Sequence, residues 1–192
     1  MQTSRSILVR VGALAAVMGG SLWDAKMIYE STSARSYPND LTDALLFVVP
    51  LLLLAGFAGL YIHSRGRLGE MERLSLVGFI LGSVGLAGAS VWSGLWALGV
   101  VSDILKGLWG GLLFVAVGLM LLGGSIIHAG LLGRWKAVPL VVGVIGTLAV
   151  AMPPWNLVGV AAWSLFGFTW LALGCALWLG EGEAVQRPAR AR

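Results

Sequence analysis

The feature that constrains this chain most is an unbroken apolar run, residues 44–62, with no charged side chain in it. A helix of about 20 apolar residues crosses the roughly 30 Å hydrocarbon core of a bilayer. Inside that core each backbone amide needs a partner within the protein, so an isolated span of this kind is helical. The run ends at His63, followed by a short loop that carries Arg65, Arg67 and Arg73. One span next to one basic loop sets an orientation, with the loop in the cytoplasm.

Composition extends this reading to the whole chain. Only 11% of the 192 residues are charged and 58% are hydrophobic, whereas ordinary soluble domains carry about 25% charged residues. Six apolar stretches follow one another, over residues 7–23, 42–63, 74–98, 108–132, 138–152 and 157–179. They predict an all-α, polytopic membrane protein of six transmembrane helices forming a single integral domain, a multi-pass protein of the cell membrane with the lipid bilayer as its immediate partner. The first stretch resembles a signal peptide at its start. Leu22-Trp23-Asp24-Ala25-Lys26 makes a poor cleavage site, however, so it is read as a retained first span. Trp23 then suits an interface, and residues 24–43 read as the longest loop. Asp40, Thr42 or Asp43 would cap the second span, Pro50 would kink it, and Pro139 would open the fifth.

The charges alternate with the spans. The N-terminus, residues 64–73, residues 133–136 and the tail hold Arg5, Arg10, Arg65, Arg67, Arg73, Arg134, Lys136, Arg187, Arg190 and Arg192. The opposite loops hold Lys26, Arg35 and Lys106. This asymmetry predicts that both termini are cytoplasmic, with Arg65, Arg67, Arg73, Arg134 and Lys136 as topology anchors. The same distribution argues against nucleic acid as the partner of this basic chain, because the cations sit in short loops between spans and form no stripe.

Small residues stand out in the third span. Gly78 and Gly82, and again Gly85 and Ala89, stand four residues apart, a spacing that lets a second helix approach closely. The bundle is expected to pack through such residues in the third and fourth spans. A repeat is also suggested: residues 44–98 match residues 111–152 in short pieces. Leu45-Leu46-Phe47-Val48 recurs as Leu112-Leu113-Phe114-Val115, and His63 pairs with His128.

Chemistry is sparse. No Asp, Glu or Lys falls near the middle of any expected span, which argues against an ion-coupled carrier. His63 and His128 are the only candidates for cofactor binding; one His from each of two helices is a haem-ligating arrangement, although both also suit helix ends at the interface. Ser64 beside His63, and Glu70 and Glu72 in the same loop, fit a solvated loop better than a catalytic group, so no catalytic residue is assigned. The lone Cys175 forms no disulfide within the chain and no cysteine-based metal site, and no metal ligands are assigned. None of the 28 glycines lies in a phosphate-binding motif. Trp163 and Trp170 share a face of the last span and are expected to serve in helix packing or to face lipid.

The segments Gly133-Arg134-Trp135-Lys136-Ala137-Val138-Pro139-Leu140 and Gly174-Cys175-Ala176-Leu177-Trp178 resemble those of small six-span bacterial inner-membrane proteins that carry no assigned function. That resemblance implies a fold and a location, and brings no activity or site with it. The expectation from sequence is a non-enzymatic membrane protein that acts as an interaction or accessory subunit, with a membrane-protein partner or a second copy of itself. The alternatives are a small-molecule or lipid transporter and, further off, a haem-binding protein or membrane enzyme using His63 and His128.

Overall fold

A computed structural model describes the backbone of residues 2–32, 40–100, 104–152 and 157–186. Arg35, Asp103, Arg187, Arg190 and Arg192 lie outside the described residues, as do the side chains of Asp40, Thr42, Asp43 and Lys106. Six long helices follow in order: α1 Gln2–Thr32, α2 Asp40–Ser64, α3 Glu72–Ala97, α4 Ile104–His128, α5 Val138–Ala151 and α6 Leu157–Gln186. Two short 3-10 turns, Gly69–Met71 and Gly133–Trp135, precede α3 and α5. No strand occurs among the described residues. Each of the six helical segments is long and apolar enough to cross a membrane.

Each helix packs on its neighbours in sequence, and α6 returns to pack along α1, so the six form a closed ring. Phe57, Leu60, Leu86, Leu119, Leu122, Ile126, Trp170 and Leu173 lie fully buried inside it. Ile7, Val11, Val84, Val91, Phe114, Leu148 and Phe168 face outward, apolar and exposed. A bilayer is the solvent that accepts such a surface.

The ring closes through glycines, and the reason is steric. A Cβ on Gly78 would lie 2.7 Å from the Gly118 carbonyl oxygen, and one on Gly111 would lie 2.6 Å from that of Gly85. At the same seam, Ala89 packs on Gly111. Similar notches sit between α1 and α2, where a Cβ on Gly12 would lie 2.6 Å from Gly59 Cα, and between α4 and α5, where one on Gly143 would lie 2.8 Å from the Ala116 oxygen. In lipid no hydrophobic force drives two helices together, so the depth of backbone contact that glycine allows supplies the attraction. On the α2–α3 seam, Gly82 instead makes room for the Phe57 ring.

One helix boundary differs from expectation. α1 continues nine residues past Trp23, to Thr32, so the first part of the expected long loop is helix. α2 runs as one helix through Pro50. α5 is short at 14 residues, with Pro139 in its first turn.

Arg5 closes the end of α2. Its guanidinium donates to the carbonyls of Ile62 (2.9 Å), His63 (3.2 Å) and Arg65 (2.6 Å). The last carbonyls of a helix have no partner within it and carry partial negative charge, so a fork of donors satisfies several of them together.

Three outcomes follow for thermal unfolding of the purified protein. Gly85→Ala should destabilise it by about 1–3 kcal/mol through overpacking. Gly88→Ala, with nothing within 4 Å of its Cβ, should be neutral or stabilising by up to about 1 kcal/mol. Arg5→Ala should cost about 1–2 kcal/mol as the α2 carbonyls lose their donors.

Candidate functional site

The extension of α1 changes what the membrane interior contains. Asp24 and Lys26 were expected in a loop, and both are helical and buried, at 5% and 8% exposure. The first span is therefore longer than expected and takes in both residues near its end, because the helical pattern runs on through Met27, Ile28 and Tyr29. Trp23 is buried between helices.

Helical spacing accounts for the placement. Ala13, Ala16, Gly20, Trp23 and Met27 recur at three or four residues and are all buried. Asp24 continues the same face one residue on and meets α6 at Gly167. A Cβ on Gly167 would collide with the Asp24 carboxyl, its Cγ lying at 2.6 Å. Gly20 faces the same stretch of α6, where an added Cβ would lie 2.6 Å from the Gly167 oxygen. Lys26 falls on a different heptad, that of Gly12 and Gly19, whose neighbours are on α2.

Both carboxyl oxygens of Asp24 are buried and accept no hydrogen bond. Trp170 Nε1, on the α6 face of this seam, is also buried and donates none. A helical side chain leans toward the helix N-terminus, so the Asp24 carboxyl lies deeper than its own Cα. Gly167, which it touches, is about 15 Å along α6 from Leu157 and about 18 Å from Leu179, near the middle of that span.

Aromatic rings surround the approach. Trp23 stacks on Trp163 with centroids 5.5 Å apart, and Phe166 stands edge-on to Trp23 at 5.9 Å and to Trp170 at 6.3 Å. The indoles are tied to backbone as well. Trp23 Nε1 donates to the Trp163 oxygen at 3.0 Å, and Trp163 Nε1 donates to the Met152 oxygen at 3.1 Å. The second bond pins the end of short α5 to α6. Trp163 and Trp170 are thus inward-facing, at 4% and 0% exposure.

The residues singled out from sequence fall elsewhere. His63 is buried at 2% exposure at the end of α2, while His128 at the end of α4 is exposed, so the two do not share an environment. Ser64 donates its hydroxyl to the Leu60 and Tyr61 carbonyls, at 3.1 and 3.0 Å, within its own helix. Ser93, Ser125, Thr147 and Thr169 likewise bond to the preceding turn. Glu70, Glu72 and Arg73 line a surface hollow by the first 3-10 turn. Among the described residues no group of three or more His, Cys, Asp or Glu is placed to hold a metal ion.

Sequence reasoning missed Asp24. The signal was present in the spacing of Gly20, Trp23 and Met27, but two charges within three residues of the end of a 17-residue stretch read as its end. Comparison with protein-family models, with curated proteins and with solved structures finds no match to this chain.

The site predicts a contrast between two substitutions, read by thermal unfolding. Asp24→Asn keeps the volume and removes the buried charge, so stability should be equal to or above that of the parent. Trp23→Phe leaves the Trp163 carbonyl without its donor and should cost about 1 kcal/mol or more.

Proposed function

We propose that this protein is a membrane transporter for a small organic cation, oriented with both termini in the cytoplasm, and that Asp24 is the group its cargo meets. The orientation rests on the alternation of basic residues between loops. The function rests on one observation: a buried carboxyl group on a membrane-spanning helix, beside Gly167 of α6, with no hydrogen-bond partner.

A charge buried in a span costs free energy, and residues of this kind mark ion and substrate pathways. The neighbouring groups suit a cation. Carboxylate oxygens provide the counter-charge, and the faces of Trp23, Trp163 and Trp170 attract a positive centre through their quadrupoles. The α1–α6 seam holds the carboxyl in place, with Gly20 and Gly167 in close backbone contact beside it. The accessory-subunit reading drew its strength from an interior without ionisable groups, and Asp24 and Lys26 remove that premise.

The test uses the full chain in proteoliposomes with a panel of organic ammonium ions and their neutral isosteres. The expected result is uptake of a cation and no uptake of its isostere, with Asp24→Asn reducing the rate at least tenfold while its unfolding temperature is retained. Equal uptake by the parent and by Asp24→Asn would refute the assignment. A folded protein that moves no cation, but that brings a membrane protein with it from native membranes, would restore the accessory role.

A further inference from the structure

The α1–α6 seam holds a second bare polar group, and it is a donor. Trp170 is fully buried, at 0% exposure, and its Nε1 donates no hydrogen bond. A buried indole N–H usually finds an acceptor. Trp23 and Trp163 beside it do, on the Trp163 and Met152 oxygens. Trp170 departs from that pattern next to an acid whose two oxygens are equally bare.

The two bare groups converge because of how this helix pair aims its side chains. The Asp24 carboxyl fills the notch at Gly167, and Trp170 Cβ lies 3.2 Å from where a Cβ on Gly20 would stand. Gly20 and Asp24 are four residues apart on α1, and Gly167 and Trp170 are three apart on α6. All four therefore fall within about one helical turn of the seam. Gly20 meets Gly167 while Ala13 meets Gly174, so the two helices run antiparallel. A helical side chain leans toward the N-terminus of its own helix. Asp24 thus leans toward the level of Trp170, and Trp170 toward the level of Asp24. They bring two acceptors and one donor together without satisfying each other.

A ligand complementary to this pair carries a positive charge and, a short link away, an acceptor. We propose that Trp170 is a specificity-determining residue of the transport site, and that the cargo is an organic ammonium ion with an oxygen two carbons from its nitrogen. The ammonium pairs with Asp24, and the oxygen accepts from Trp170 Nε1. This rests on Asp24 being the group that the cargo meets, and adds the second contact. A plain alkylammonium satisfies the carboxylate and leaves the indole N–H bare. One neutral hydrogen bond then separates the two kinds of cation, a preference of about fivefold.

The full chain in proteoliposomes reads this with two cations of equal charge and similar volume, choline and ethyltrimethylammonium, which differ by the hydroxyl. Choline uptake should be favoured about fivefold. Trp170→Phe removes the N–H and should bring the ratio to about one or below, by slowing choline. Because the smaller ring can also loosen the core, a second variant carries benzothienylalanine at position 170, which puts sulfur in place of the N–H at nearly the same shape. It should lose the preference in the same way and keep the parent's unfolding temperature. Trp178→Phe, at an indole on the outer surface, should leave the ratio unchanged. Equal uptake of the two cations by the parent would overturn the proposal and leave the Asp24 assignment standing. So would a benzothienylalanine variant that still prefers choline; a lowered unfolding temperature in that variant would then assign the N–H to a structural water. Uptake of neither cation would also overturn it, and failure of the whole ammonium panel would take the Asp24 assignment with it.

Discussion

Close backbone approach between helices is the constraint on which the rest of this structure depends. A bilayer gives two apolar helices no reason to leave lipid for one another, so the ring must be held by contacts that lipid cannot match. Glycine provides them at Gly12–Gly59, Gly20–Gly167, Gly78–Gly118 and Gly85–Gly111. With no side chain in the way, carbonyl oxygens sit against the neighbouring helix and many atoms come into van der Waals range. The ring closes only because α6 and α1 also meet in this manner. That closure brings the first and last helices together, and the site proposed for this protein lies on the seam it creates.

The same close approach explains how Asp24 is buried. At Gly167 any larger residue would collide with the carboxyl, so the site exists because α6 has a notch where α1 has an acid. Around it, polar groups are otherwise well used. Trp23 and Trp163 bond to carbonyls at 3.0 and 3.1 Å, Arg5 closes the end of α2, and several hydroxyls bond back to their own helices. The two bare oxygens of Asp24 and the bare Nε1 of Trp170 come together on this seam, while Ser83, Ser90 and Trp135 carry buried polar atoms without a partner elsewhere. A buried polar group without a partner costs free energy, and such strain tends to collect where a function requires it. The α1–α6 seam therefore combines a tight, well-satisfied frame with one unsatisfied polar spot.

An apolar groove on the outer surface follows from the same pairing of helices. Close contact at Gly174 draws α6 onto Ala13 and Val17, which line the groove with it. Arg10 reaches Trp178 because the two helices run antiparallel, so that the start of α1 lies beside the end of α6. Neither residue of that pair reveals it alone. A lone arginine at the start of a span only suggests snorkelling to the headgroups, and a lone tryptophan at the end of a span only suggests an interface.

The sequence alone determined the class of fold and the number of spans. Hydrophobic runs such as residues 44–62 report a property of each segment by itself, its transfer into hydrocarbon, and need no knowledge of its neighbours. The small residues Gly78, Gly82, Gly85 and Ala89 marked a surface able to pack closely, but could not name Gly111 and Gly118 as what they meet. The length of α1 was legible in principle, since Gly20, Trp23 and Met27 keep helical spacing. It was obscured because Asp24 and Lys26 lower the local hydropathy where a span would be ending. Only the tertiary structure decided that Asp24 faces a glycine on α6 and that Lys26 is buried, and that His63 is buried while His128 is exposed. Those outcomes depend on which helices become neighbours, and that is set by pairwise fit between surfaces far apart in the chain.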